Sequence, residues 1–151
     1  MNPKLVTGPL CHDLVVLMIL EKWPQLVHGT DYLVLHAIDA DGNQAGPPYF
    51  ATWKPKDIPL PDISELDAQF TAHDGKYRSA LARHYRDSLL EWSDPKVSTP
   101  DDAPATTRTD IDAWKTYRQA LRDVPQQAGF PMGIEWPELP GQSADTKGDT
   151  T

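Results

Sequence analysis

The chain has 151 residues, enough for one ordinary domain with its own core. Its formal charge is −8 at pH 7, an acidic balance that repels phosphate backbones and sets DNA and RNA aside as main partners. A single cysteine, Cys11, permits neither an internal disulfide nor a cysteine zinc site, and the longest apolar run, Leu14–Leu20, falls far short of the ~20 residues that span a bilayer. Apolar residues make up 39% and prolines number fifteen, well above the usual ~5%, so much of the length is expected in turns, connectors and tail. No signal peptide is evident, and the expected setting is reducing and cytosolic.

Gly8-Pro9 precede an apolar segment, Leu10–Trp23, closed by Pro24. Proline stops a helix that it follows, so the segment predicts a helix, although β-branched Val15, Val16 and Ile19 leave a buried strand open. Apolar side chains fall on every face and require cover from the fold or from a partner. Cys11 reads as a small buried thiol. Asp31–Asp39 alternates as a strand with both faces largely apolar, which predicts cover on both sides. Asp41-Gly42 is a turn signal, and Tyr49–Trp53 a return strand. A lone hairpin is marginal, so the first helix is expected to pack on it.

Lys54–Pro61 is proline-stiffened and predicts an extended connector. It divides an N-terminal α+β part, 1–61 with the connector, from a helical part, 62–140. Within the latter, Ile63–Trp92 carries Leu66, Phe70, Tyr77, Leu81, Tyr85, Leu89 and Trp92 at helical spacings. Asp62 or Ser64 can cap it, Ser64 with Asp67 makes a capping box, and Asp74-Gly75 marks a kink or a break. The stripe is either intramolecular core or a helix-pair surface that would make a homo-oligomer through the long helix.

Ser93–Arg108 is polar and proline-bearing and reads as a loop. Thr109 can cap the next helix, with Asp110 and Asp112 in its first turn. Ile111, Trp114, Tyr117 or Arg118, and Leu121 form its stripe, and Val124-Pro125 ends it. Two helices joined in this way predict an antiparallel hairpin. Gly129–Pro140 (GFPMGIEWPELP) then predicts an extended strip with Phe130, Met132, Ile134 and Trp136 at alternate positions, and 141–151 a disordered tail. The fold class is therefore α+β.

None of the five histidines makes an HExxH or another metal spacing, and no glycine-rich phosphate loop or GxSxG elbow occurs. Neither cofactor nor metal is expected, and the chain does not read as an enzyme. Binding is the better reading. Proline-stiffened segments dock at low entropic cost, and arginine and tryptophan are enriched at interface hot spots. The partner-binding candidates are Trp114, Tyr117, Arg118, Arg122, Phe130, Ile134, Trp136 and Pro137. The opposing possibility is that the strip folds back as a lid on its own helices.

The run Ala113-Trp114, Tyr117-Arg118-Gln119-Ala120-Leu121-Arg122-Asp123, then Phe130-Pro131, Ile134-Glu135-Trp136-Pro137 and Pro140, resembles the phage tail assembly chaperone family. That family overlaps in pattern with tail fibre assembly proteins of tailed phages. Upstream, Arg86, Leu89-Leu90 and Asp94 extend the resemblance. The family's aspartate-tryptophan-threonine run is altered here: Trp92 precedes Asp94, with no threonine after it. The resemblance implies a partner that is a phage tail fibre or another tail structural protein, aided in folding, assembly or attachment without catalysis. It places the protein in the host cytoplasm or on the virion tail, with no nucleic acid or membrane partner. A permanent structural subunit of the tail is the alternative.

Overall fold

The computed structural model describes residues 3–98, 100, 102 and 111–141. Its elements are α1 (His12–Lys22), β1 (Tyr32–Leu35), β2 (Tyr49–Trp53), α2 (Ile63–Ala72), α3 (Asp74–Ser93) and α4 (Ile111–Asp123), with short 3-10 helices at Pro3–Val6, Asp94–Val97 and Val124–Gln126. This is the expected α+β class. The chain packs as two compact units, one up to Ala82 and one from Arg83 onward.

In the first unit, α1 ends where Trp23 N–H donates to Ile19 O, just before Pro24. Leu14, Val15, Met18 and Ile19 recur at helical spacing and are buried, whereas Leu20 is exposed. Cys11 is fully buried, as expected, and burial pushes its thiol pKa up. β1 and β2 pair antiparallel, with Leu35 opposite Tyr49 and an irregularity between Leu33 and Val34. α1 lies against β1.

The strand expected over Asp31–Asp39 stops at Leu35, and its second face is not covered. Tyr32 and Val34 are buried, but Leu35 is 39% exposed and Ile38 65%. A two-stranded sheet with one helix on it buries one face only. Past β1, His36 turns toward α1, and an isolated bridge joins Ile38 to Gln44. The Asp39 carboxylate accepts from Asn43 N–H (2.8 Å) and Asp41 N–H (3.0 Å) around the expected Asp41-Gly42 turn. Gly42 has φ +78°, a left-handed value that glycine adopts without strain.

The connector to α2 carries no regular structure. Asp62 caps α2 by accepting from Ser64 N–H at 2.7 Å, so the cap lies two residues before the Ser64–Asp67 pair. The long helical pattern breaks at His73, which separates α2 from α3 at the predicted Asp74-Gly75 point. Leu66, Phe70, Tyr77 and Leu81 are buried in this unit, so that part of the stripe is intramolecular core. Arg78, 8% exposed, stacks on Phe70, pairs with Asp74 and donates through Nη1 to the Val6 and Gly8 carbonyls. A buried guanidinium is tolerated because its donors are satisfied, and here it pins the N-terminal 3-10 helix.

In the second unit, α4 buries Trp114, Tyr117 and Leu121 against Leu89, Leu90 and Val97, with Trp136 and Leu139 from the strip. Trp114 meets Trp92, and one turn later Arg118 reaches Leu90 O, Ser93 Oγ and the Asp94 carboxylate. α4 thus packs against the C-terminal end of α3 and the 3-10 helix that follows it. The loop after Ser93 begins with the 3-10 helix Asp94–Val97. The predicted cap Thr109 and Asp110 lie outside the described residues, as does the expected tail beyond Gly141.

Candidate partner-binding surface

The strip leaves α4 through the 3-10 helix Val124–Gln126, and its first part is a compact turn rather than an extended run. Phe130 N–H donates to Gln127 O (3.0 Å) and Gly133 N–H to Gly129 O (2.6 Å), and the Phe130-Pro131 bond is cis. A Cβ on Gly129 would overlap the Gly133 carbonyl, so this approach requires glycine. Only over 134–139 does the chain run on without turns, before a turn at Pro140-Gly141.

Gln127 closes this loop. Its Nε2 donates to Glu135 O (2.9 Å), and its Oε1 accepts from Glu135 N–H (2.8 Å). The side-chain amide thereby takes the place of a neighbouring strand's peptide group. Two aromatic anchors then seat the loop on α3: Arg83 stacks over Phe130 at 5.1 Å, and Trp136 meets Tyr85 edge-on at 4.7 Å. Met132, 54% exposed, projects from the turn. Nearby in sequence to α4's partners, Trp92 is 52% exposed, and Lys96 sits over both its ring and that of Trp114.

The predicted site residues divide into two groups. Trp114 and Tyr117 are buried in the unit's own core and offer no surface to a partner in this conformation. Burial also pushes the Tyr117 pKa up, with Tyr85 adding to it, and Tyr85 is itself raised by burial. Arg118 donates to Leu90 O and to Ser93 Oγ (2.8 Å) and pairs with Asp94. It therefore satisfies carbonyl and hydroxyl groups at the end of α3, where a cation is favoured. Phe130, Ile134, Trp136 and Pro137 are half-buried, each with part of its surface left to solvent, and Arg122 is exposed. Those five, with Met132 and Trp92, make up the accessible part of the candidate surface. The pattern of apolar residues marked Met132 and Trp92 without singling them out. Gln127 and Arg83 carried no sequence signal, since their contacts depend on where the turn folds.

The first unit holds a cavity of about 480 Å³ lined by Pro9, Leu10, Gln44, Pro47, Pro48 and Ile63 among others. Gln44 Nε2 donates to Leu10 O and Gly46 O, both at 2.8 Å, while its buried Oε1 has no partner among the described residues. No three His, Cys, Asp or Glu side chains converge in a metal-binding group among the described residues, and no helix described is long and apolar enough to cross a membrane.

Comparison with known families gives two matches that divide the chain. Residues 75–141 match the family model described as phage tail assembly chaperone protein, and residues 15–78 match the one described as XkdW protein. No curated protein and no solved structure matches significantly. The first match takes in α3 from Gly75, α4 and the Gln127-closed loop; the second takes in α1 from Val15, the hairpin, α2 and the start of α3, so the two overlap over 75–78.

Proposed function

We propose, for a chain whose residues 75–141 match the family model described as phage tail assembly chaperone protein, that it binds a tail fibre or another tail structural protein and aids its folding, assembly or attachment. The family match carries this reading. Its physical basis is complementary burial: unassembled fibre proteins expose apolar, edge-rich surface that aggregates, and a soluble acidic binder covers it. No bond is made or broken, and no cofactor or metal takes part. The contact surface is the accessible group Trp92, Arg122, Phe130, Met132, Ile134, Trp136 and Pro137, with the core residues Trp114, Tyr117 and Arg118 holding it in shape. It works in the host cytoplasm.

Co-expression with the fibre or tail protein encoded alongside it, followed by affinity capture, tests the reading. Capture is expected with the wild type and is expected to drop at least tenfold for Met132→Asp combined with Arg122→Glu, whose circular dichroism stays that of the wild type. Absence of capture with any tail protein overturns the reading.

One observation favours a second reading, a permanent subunit of the virion tail. Leu20, Val27, Leu35, Ile38, Tyr49 and Leu60 of the first unit are exposed, a surplus that a lasting interface would bury. Abundant peptides from this chain in purified particles support it, and their absence leaves the transient chaperone. Self-association through the long helix would have to use Trp92 in place of the buried positions of the stripe, and light scattering of the purified chain decides it.

A further inference from the structure

The first turn of α1 lacks the usual cap. Cys11, at the capping position, is extended (φ −121°, ψ 172°), and its side chain makes no capping hydrogen bond. The acceptor comes from elsewhere in the sequence. His12 N–H donates to His36 Nδ1 at 3.2 Å, and His12 Nδ1 lies 3.1 Å from the same atom. The two rings meet edge-on with centroids 4.6 Å apart. On its other side, His12 Nε2 faces the Asp13 carboxylate at 3.1 Å.

These contacts fix the state of His36. A backbone N–H can only donate, so His36 Nδ1 must bear a lone pair, and the ring proton must sit on Nε2. A ring protonated at Nδ1 can no longer accept from His12 N–H, and its proton can turn only to His12 Nδ1 when that atom carries a lone pair. It would also set a cation at the positive end of a helix and beside a second imidazole. We propose that His36 is an acid-released latch: neutral, it caps α1 and ties the segment after β1 to that helix; protonated, it lets go.

The titratable groups facing His36 come from α1 and are His12 and Asp13. Burial lowers the His36 pKa below the ordinary 6.5, and the neighbouring His12 lowers it further, while Asp13 opposes them. The sign follows directly. The unfolded chain takes up the proton at higher pH than the folded one, so the latch's contribution is complete above about pH 6.5 and is lost as pH falls below it. The loss levels off once the pH has passed the lowered folded value.

Nuclear magnetic resonance on the full chain tests the latch. Long-range nitrogen–proton correlation at pH 7.5 is expected to report the Nε2–H tautomer for His36. The amide protection factor of His12 is expected to fall by about tenfold per pH unit within the window below pH 6.5, the slope of one linked proton. His36→Asn, whose Oδ1 can accept but does not titrate, should hold that protection constant over the same range. The Nδ1–H tautomer, a His12 amide whose protection does not change with pH, or the same acid loss in His36→Asn each overturns the proposal.

Discussion

The two units both bury an apolar core but leave different amounts of apolar surface exposed. In the second, Trp114 and Tyr117 are buried and Trp136 packs on Tyr85 and the core cluster. The first has a smaller claim to attention in its sequence, yet it leaves Leu20, Val27, Leu35, Ile38, Tyr49 and Leu60 exposed, against Trp92 and Met132 in the second. The two are also tied differently. Arg78, His36 and Gln44 hold the first together by reaching backbone groups far away in sequence. In the second, Arg118 secures the end of one helix and Gln127 a local loop.

That contrast is broken most directly by truncation on each side. Trp114→Ala removes a large ring from the centre of the second core and should cost about 3–5 kcal/mol in urea unfolding. Ile38→Ser, at a side chain 65% exposed, should stay within about 0.5 kcal/mol. Equal costs would mean that Trp114 is not part of the second unit's core. Next in size is Arg118→Met, expected to cost about 1.5–3 kcal/mol because the Leu90 carbonyl and the Ser93 hydroxyl lose a charged donor. Asp94→Ala should cost less than about 1 kcal/mol, since that carboxylate is 62% exposed and screened by solvent. If Asp94→Ala matches Arg118→Met, the ion pair rather than helix-end capping is what the arginine supplies.

Much of this arrangement was legible from spacing. The helix before Pro24, the return strand Tyr49–Trp53, the break near Asp74-Gly75 and the helix ended by Val124-Pro125 follow from proline, glycine and periodicity acting locally. Alternation continues through Ile38 and so predicts a longer β1, whereas the chain leaves the sheet where His36 meets the first residue of α1. Local pattern could not tell that Trp114 and Tyr117 face inward. A helix stripe of aromatic residues looks the same whether Leu89, Leu90 and Trp136 cover it or a partner does. The strip's alternation was likewise overridden at its start, where Gly129 and Gly133 allow a backbone approach that no side-chain pattern encodes.

The loop's clasp gives the smallest effect and the sharpest local one. Gln127→Ala removes one donor and one acceptor from an exposed pair of hydrogen bonds, a loss of about 1 kcal/mol. Global unfolding will register it weakly, so the Glu135 amide is the better reporter, because Gln127 Oε1 is its acceptor. Its exchange should quicken in Gln127→Ala. Gln127→Glu keeps an acceptor for that amide but gives up the donor to Glu135 O, and should fall between the two. If Phe130 and Trp136 alone seat the loop on α3, all three proteins exchange alike at Glu135. The accessible surface of the second unit would then owe its shape to aromatic packing without the clasp.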